Sequence, residues 1–184
     1  MAEERQAMRS KATLRASDER VAGLETPEGY IDPVRAVVQR VRRASVAVDG
    51  VSVGKITRGL LVLVCVAEGD GKEDAVSMAG KLARLRIFPD EHDRMNRSVT
   101  DIGGEVLVVS QFTLCADVGK GNRPSFTRAA DPGRAEPILE AMVGLLRAEG
   151  LTVETGIFGG RMLVSLDNEG PVTLVVDVEE GSVV

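Results

Sequence analysis

Residues 34–67 read VRAVVQRVRRASVAVDGVSVGKITRGLLVLVCVA, and they decide what kind of sheet this chain builds. Val34–Val41 alternates in the manner of a half-buried strand. The Asp49-Gly50 pair separates two short alternating segments and predicts a hairpin, because both turn positions need positive φ. The continuous apolar run Leu60–Ala67 is typical of a strand buried on both faces. The stretch therefore predicts a sheet of consecutive strands with short connections.

Two helices are predicted further along the chain. The first begins at Asp70, which can cap it while Glu73 reaches back in a capping-box spacing, and it ends before Phe88. The second begins at Asp131 and ends at Gly150. Apolar positions recur at helical intervals in both: Ala75, Met78, Ala79, Leu82 and Leu85, then Ala135, Ile138, Leu139, Met142, Val143 and Leu146. Each helix is therefore expected to bury one face.

Four more segments complete the predicted sheet. They are Glu105–Phe112, Thr152–Gly156, Met162–Leu166 and Val172–Val178. With the strands of residues 34–67 they give about eight strands, and the frequent hairpins favour a largely antiparallel or barrel-like sheet. We therefore predict an α+β fold with a single domain and two main helices on one face of the sheet.

The first 33 residues differ from the rest of the chain. Residues 1–33 have no sustained apolar periodicity, and Pro27, Gly29 and Pro33 interrupt their end. Their charged, acid-rich composition is unlike that of a secretory signal or a transit peptide. We interpret residues 1–33 as a disordered or loosely packed N-terminal extension and residues 34–184 as the folded domain.

Composition argues against several classes of function. A net charge of −5 is unlike that of a protein that binds RNA broadly, although a few local cations could still hold the end of an RNA molecule. The longest apolar run, Leu60–Ala67, is far too short to span a membrane. Cys65 and Cys115 lack CxxC spacing, and we expect both to be free thiols in a reducing cytoplasm. A cytoplasmic location without a membrane anchor is therefore expected.

The usual catalytic groups are missing. His92, the only histidine, lies in a charged loop, where a plain surface position is expected. No cysteines and histidines have zinc-ligand spacing, and neither HExxH nor a glycine-rich phosphate loop occurs. An enzyme built on this sequence would work without a metal, without a cofactor and without an obvious side-chain base.

Two polar segments stand out where strands are predicted to end. Ser110–Leu114 (SQFTL) follows a buried strand, where polar side chains and freed backbone N–H groups could hold a developing oxyanion. Asn168–Thr173 (NEGPVT) joins two apolar strands, and a cis bond at Gly170-Pro171 would aim both carbonyls the same way. Taken singly, each segment has a simpler interpretation, namely an ordinary strand end and an ordinary Gly-Pro turn.

Together, SQFTL and NEGPVT resemble the paired motifs of the D-aminoacyl-tRNA deacylase family, SQFTL and NxGPxT. The resemblance runs from about Val34 to Val178. Ser110 and Phe112 also distinguish the chain from the related animalia-type deacylases, which have Pro-Gln-Ala-Thr-Leu at the first motif. Other stretches agree in the same order: RAVVQRV at 35–41, RASV at 43–46, RIF at 86–88, Met95-Asn96, RPSF at 123–126, and Thr155-Gly156 with Phe158.

The resemblance implies a hydrolase that cleaves the ester bond between a D-amino acid, or glycine, and the 3′ end of tRNA. It implies a homodimer in which a cis Gly170-Pro171 dipeptide of one subunit enters the pocket of its partner, holds the substrate α-amino group and leaves no room for an L side chain. Neither a cofactor nor a metal is implied. The other substrate-binding positions by resemblance are Asn168, Thr173, Met95 and Asn96.

The resemblance leaves two nucleophiles to consider. Thr113 matches the residue once taken for the nucleophile, and the rival is the 2′-OH of the terminal adenosine of the tRNA. A threonine needs a base for activation, and none is evident, so the residues favour the 2′-OH. Gln111 and Thr113 would then position the substrate while Ser110 orients them. The backbone N–H groups near Phe112 and Thr113 would stabilise the oxyanion.

Two other functions stay open, and so does the origin of the extension. The chain could be a non-catalytic module that binds tRNA ends, or it could have the same fold with specificity shifted toward L-alanyl-tRNA. Val34 stands where the family has its starting methionine. Residues 1–33 could therefore reflect a start placed too far upstream, or they could be a genuine accessory tail.

Overall fold

The structure, a computed structural model, describes residues 33–119 and 121–184. Nearly all of the predicted extension, residues 1–33, therefore lies outside the described residues. The strands are β1 (Val34–Val48), β2 (Val51–Ile56), β3 (Gly59–Cys65), β4 (Phe88–Pro89), β5 (Met95–Arg97), β6 (Glu105–Ser110), β7 (Thr152–Thr155), β8 (Met162–Glu179) and β9 (Ser182–Val183). The helices are α1 (Lys72–Arg84), the short 3₁₀ helix Phe112–Cys115 and α2 (Pro132–Ala148).

One seven-stranded sheet organises the described residues. Its order is β7-β6-β3-β1-β8-β9, with β2 paired to β1, while β4 and β5 form a separate hairpin. The strand β1 is antiparallel to β2, β3 and β8. The pairs β3–β6 and β6–β7 are parallel, because the chain returns to the same edge after α1 and again after α2. The sheet is thus mixed and antiparallel at its centre, within the predicted α+β class.

Both helices pack on one face of this sheet, as predicted. Their apolar stripes form one cluster with alternate side chains of β1, β3 and β6, among them Val38, Val62 and Val106. A smaller cluster, including Val46 and Leu107, covers the opposite face. No helix among the described residues is long and apolar enough to cross a membrane.

The local turns follow the sequence closely, except at the start of α1. Asp49 and Gly50 have φ values of 50° and 80°, so the predicted hairpin is confirmed. The N-cap of α1 is Gly71, not Asp70, because the Asp70 carboxylate accepts a hydrogen bond from the N–H of Ala67 (2.5 Å). Asp74, rather than Glu73, reaches back to the cap, accepting from the N–H of Gly71 at 2.8 Å.

The last two predicted strands are one strand. The segments Met162–Leu166 and Val172–Val178 both pair with β1 and belong to the continuous β8. The register shifts where β1 passes Val41, so the NEGPVT segment bulges from the ladder without ending it. The predicted connection between two strands is therefore a bulge within a single long strand.

Cys65 and Cys115 form a disulfide bond, with their Cα atoms 6.4 Å apart. The prediction of two free thiols is therefore wrong. Cys65 ends β3, and Cys115 ends the 3₁₀ helix that follows β6. Parallel pairing of β3 with β6 brings these two ends together although they are 50 residues apart in sequence.

Candidate functional site

A cavity of about 550 Å³ opens where β3 and β6 end. Cys65 lines it from the end of β3, and Ser110, Gln111 and Phe112 line it from the end of β6. Met162, at the start of β8, helps to line the wall. The cavity therefore sits where the ladder stops, so that polar side chains and backbone groups released from the sheet face a space large enough for a small molecule.

The SQFTL segment turns out of the sheet beside this cavity. The N–H of Gln111 still donates to the carbonyl of Val64 (2.7 Å), and the N–H of Leu114 donates to the carbonyl of Gln111 (3.1 Å). Within the described part of the chain, the intervening N–H groups of Phe112 and Thr113 have no acceptor. Both residues are exposed, so these two donors are open to a substrate oxygen.

The side chains of this segment are organised as well. The Gln111 amide donates from Nε2 to Oγ1 of Thr113, which fixes the two groups relative to each other. Of the catalytic candidates, Ser110, Gln111 and Phe112 line the cavity directly, and Thr113 adjoins it through this bond. The structure therefore gathers all four candidates at one place.

Aromatic rings form much of the remaining wall. The rings of Phe112 and Phe126 meet edge to face with centroids 5.0 Å apart. An antiparallel bridge between Asp117 and Ser125 returns the chain so that Phe126 reaches this position. Phe158 adds a third ring. Three of the four phenylalanines in the chain therefore line this cavity.

Phe126 and Phe158 were not assigned to the site from sequence. The sequence signal that could have identified them is the small number of aromatic side chains in the chain. Large rings left partly exposed in a chain that has few of them mark a surface used for contact.

The NEGPVT segment is held by its own side chains. Oδ1 of Asn168 accepts from the N–H of Val172 (2.7 Å), and its Nδ2 donates to Oγ1 of Thr173 (2.9 Å). Gln39 on β1 also donates to Oγ1 of Thr173 (3.2 Å). The Gly170–Pro171 peptide bond is cis, and both residues are exposed. Asn168 and Thr173 therefore shape the bulge that presents Gly170 and Pro171.

Arg40 anchors this bulge from beneath. Its buried guanidinium donates from Nε to the carbonyl of Glu169 (2.9 Å) and from Nη1 to the carbonyl of Ile87. The Glu169 carboxylate lies 3.4 Å from Nε of Arg58 and 3.7 Å from Nε of Arg42. Sequence reasoning missed this anchor, because its carbonyl acceptors are far away in sequence.

No other residue type fits the backbone conformation and the space at Gly170. Its φ is +128°, and a Cβ there would lie 2.8 Å from Nη2 of Arg40 and 2.9 Å from Cγ2 of Val172. A larger residue would have to displace the guanidinium while adopting a backbone conformation that L side chains rarely adopt. The geometry of the bulge therefore requires glycine.

Within the described chain the two motifs do not share one cavity. Neither Gly170 nor Pro171 lines the cavity of the SQFTL segment. Met95 and Asn96 lie exposed on the β4–β5 hairpin and do not line it either. One chain therefore presents a cavity and, elsewhere on its surface, a projecting dipeptide.

The hairpin that carries Met95 and Asn96 is tied together by Asp90. The Asp90 carboxylate accepts from the N–H of Arg94 (3.0 Å), the N–H of His92 (2.9 Å) and Nδ2 of Asn96 (3.1 Å). The hydrogen bonds from Arg94 and His92, in that order, hold the pKa of Asp90 below its ordinary value. His92 is exposed and contributes only its backbone here. Across the described residues, no group of three or more potential ligands could hold a metal ion.

Comparison with known proteins identifies the family. The family model described as D-Tyr-tRNA(Tyr) deacylase matches residues 37–177, and the chain belongs to this family. Relatives named D-aminoacyl-tRNA deacylase include one from Ruegeria pomeroyi, 57% identical over 145 residues, which are 79% of this chain and 100% of the relative. Another, from Heliobacterium modesticaldum, is 56% identical over 148 residues, 80% of this chain and 99% of the relative.

Two solved structures are similar to this chain in fold. The c-Myc DNA Unwinding Element Binding Protein is 39% identical with a TM-score of 0.74, over 79% of this chain and 99% of that chain. A probable eukaryotic D-amino acid tRNA deacylase shares the fold, with a TM-score of 0.68 at 20% identity over 79% of this chain and 99% of that chain.

Proposed function

We propose that this chain hydrolyses the ester bond between a D-amino acid, or glycine, and the 3′ end of tRNA, and that it does so as a homodimer. Family membership and the shared name of the relatives support an enzyme that removes D-amino acids from tRNA. One observation supports the finer assignment: the SQFTL segment lines a cavity, while Gly170 and Pro171 are exposed and do not line it. Such a chain needs a second copy if both motifs act on one substrate.

Exposed apolar side chains on β8 support the dimer. Leu163 is 71% exposed and Val175 62%, and among the described strands only the two-residue β9 lies beyond β8 in the sheet order. Large apolar side chains left exposed on a strand near the edge of a sheet often mark a surface that a partner covers. In the proposed dimer the partner covers these side chains, and the Gly170–Pro171 dipeptide of each subunit enters the cavity of the other.

Chiral selection follows from this arrangement. The carbonyls of the partner's dipeptide would hold the substrate α-amino group, and the closely packed backbone beside it would exclude an L side chain. The D side chain would point away from the dipeptide and make few contacts, so its identity would matter little. Glycine has no side chain to exclude and would be accepted.

The chemistry uses backbone donors and the substrate itself. The open N–H groups of Phe112 and Thr113 would stabilise the oxyanion that forms on the ester carbonyl. Gln111 and Thr113, hydrogen-bonded to each other, would position the ester. The 2′-OH of the terminal adenosine would attack, since His92 does not line the cavity and, within the described residues, Oγ1 of Thr113 is hydrogen-bonded to the Gln111 amide and to no carboxylate or imidazole.

Deacylation of matched substrates tests the proposal. One tRNA is charged with the D form of an amino acid, with its L form, and with glycine, and initial rates are compared. We expect the D and glycyl esters to be cleaved at least about 100-fold faster than the L ester. Tight binding without hydrolysis would indicate a module that only binds tRNA ends, and cleavage of L-alanyl-tRNA would indicate shifted specificity. The Gln111→Ala/Thr113→Ala variant serves as the inactive control.

The proposal also concerns domain limits and location. Residues 34–184 would be the deacylase domain, and residues 1–33 an accessory extension that catalysis does not need. Since the substrate is aminoacyl-tRNA, we place the enzyme in the cytoplasm, where translation uses it.

A further inference from the structure

The surface beside α1 carries a second, basic cleft, separate from the cavity of the SQFTL segment. It has a volume of about 520 Å³ and is lined by Ser77, Gly80, Lys81, Arg84, Arg86 and Val183, among others. None of these residues lines the first cavity. We propose that this basic cleft binds the phosphodiester backbone of the acceptor arm of the tRNA substrate, an inference that rests on the proposed function.

The cations of the cleft are available to a polyanion. Lys81 and Arg86 are exposed, and the side chain of Arg84 is 71% exposed. Within residues 33–119 and 121–184, Lys81 has no ion-pair partner, and Arg84 has one distant contact, 3.8 Å to Glu149. Exposed pairs of this kind contribute little and exchange readily for a phosphate. The whole chain carries a charge of −5, so this concentration of cations in one cleft is local.

Hydrogen bonds and adjacent residues connect the cleft to the Gly170–Pro171 dipeptide. Arg86 donates from Nε to the carbonyl of Asn96 (2.7 Å), which ties the cleft to the β4–β5 hairpin. The next residue, Ile87, accepts a hydrogen bond from Arg40, and Arg40 also holds the carbonyl of Glu169 beside Gly170. In the proposed dimer the 3′ end that this dipeptide contacts lies in the partner's cavity, and the hairpin and cleft connected to the dipeptide by these hydrogen bonds belong to the subunit that supplies it.

Direct phosphate contacts have a measurable consequence. Each cation that neutralises a phosphate releases counterions, so the logarithm of affinity falls with the logarithm of salt concentration, by roughly 0.7–0.9 per contact. Base identity plays no part in such contacts. The cleft should therefore contribute to the binding of any tRNA, while the chemistry at the ester should not depend on it.

The test compares a long and a short substrate with the variant Lys81→Gln/Arg84→Gln of the full chain. On D-aminoacyl-tRNA, we expect kcat/KM to fall about tenfold at moderate salt and the salt slope to become shallower by about 1.5. On D-aminoacyl-adenosine, which has no phosphates, the variant should match the wild type. The charge-keeping variant Lys81→Arg/Arg84→Lys should retain activity on both substrates. The control Lys55→Gln/Lys72→Gln removes two exposed lysines outside the cleft and should change neither rate.

Three outcomes overturn the inference. They are an unchanged kcat/KM on the tRNA substrate, an equal loss on both substrates, and a loss that the charge-keeping variant shares. A wild-type protein that cleaves neither substrate would refute the proposed function instead, so the two failures are distinguishable.

Discussion

Nε of Arg40 donates to the carbonyl oxygen of Glu169 at 2.9 Å, and this bond ties the centre of β1 to the residue before Gly170. The same guanidinium donates to the carbonyl of Ile87, so one buried side chain holds both the bulge of β8 and the start of the β4–β5 hairpin. The position of the projecting dipeptide therefore depends on a residue that does not itself touch the cavity.

Replacing Arg40 with lysine tests the hydrogen bonds of the guanidinium separately from its positive charge. Lysine keeps the positive charge but cannot donate to two carbonyls from one planar group. For Arg40→Lys we expect a loss of roughly 1–3 kcal/mol in the free energy of unfolding, because a buried carbonyl loses its partner. We also expect kcat/KM for D-aminoacyl-tRNA to fall about 10- to 100-fold, because the dipeptide is no longer held in place.

The matched control is Arg43→Gln, since Arg43 pairs with Asp167 at 2.6 Å but both side chains are at least half exposed. That change should cost less than about 1 kcal/mol and leave activity near normal. Denaturant unfolding and initial-rate kinetics give both quantities. Normal catalysis by a folded Arg40→Lys protein would refute the anchoring role.

The nucleophile can be identified by removing each candidate. If Thr113 attacked, Thr113→Ala would abolish hydrolysis, whereas a positioning role predicts a loss of at most about 100-fold. A D-aminoacyl-tRNA that ends in 2′-deoxyadenosine should be nearly inert with the wild-type protein, because the attacking hydroxyl is gone. Single-turnover rates with both substrates measure this. Brisk cleavage of the deoxy substrate together with a dead Thr113→Ala variant would restore the threonine as nucleophile.

A chain that begins at Val34 should be fully functional. The family match starts at residue 37, and the relatives are covered over nearly their whole length by about 80% of this chain. Val34 is buried and pairs with Val178, so a chain that begins there keeps every strand pair of the described sheet. We expect an unchanged melting temperature and an unchanged kcat/KM. A clear loss of either quantity would show that residues 1–33 belong to the working structure.

The hairpin of Met95 and Asn96 should open in acid. Asp90 has a lowered pKa in the fold, so its contribution to stability is present above its unfolded pKa and is lost as the pH falls through the folded value. The protection factors of the His92 and Arg94 amides, which are corrected for the intrinsic pH dependence of exchange, should therefore fall at acidic pH. In Asp90→Asn this pH dependence should disappear, while the control Asp93→Asn, an exposed carboxylate in the same loop, should retain it. Identical acid profiles for wild type and Asp90→Asn would contradict the assignment.

Local features of this fold were predictable from sequence, and features that depend on distant partners were not. The Asp49-Gly50 hairpin is determined by two neighbouring residues, and it forms as predicted. The disulfide of Cys65 with Cys115 depends on the parallel pairing of β3 and β6, which spacing alone does not show. The continuity of β8 depends in the same way on the length of β1.

The same distinction between local and distant determinants applies to the candidate site. The motif residues from Ser110 to Thr113 come together because they are adjacent in sequence. Phe126 and Phe158 reach the same cavity only through tertiary structure, and Arg40 acts through carbonyls that carry no sequence signal. Motifs therefore identified the reactive segment, and the fold was needed to identify what surrounds and supports it.

Subunit mixing tests the central claim, that Gly170–Pro171 of one subunit completes the cavity of the other. Gly170→Ala should be inactive because of its close contacts with Arg40 and Val172, and Gln111→Ala/Thr113→Ala should be inactive because the cavity loses its positioning groups. When the two variants are unfolded together and refolded in equal amounts, half of the dimers are mixed, and each mixed dimer has one intact composite site. We predict recovery of about a quarter of wild-type deacylase activity. A mixture as inactive as its two parents, with mixed dimers shown to be present, would contradict the account.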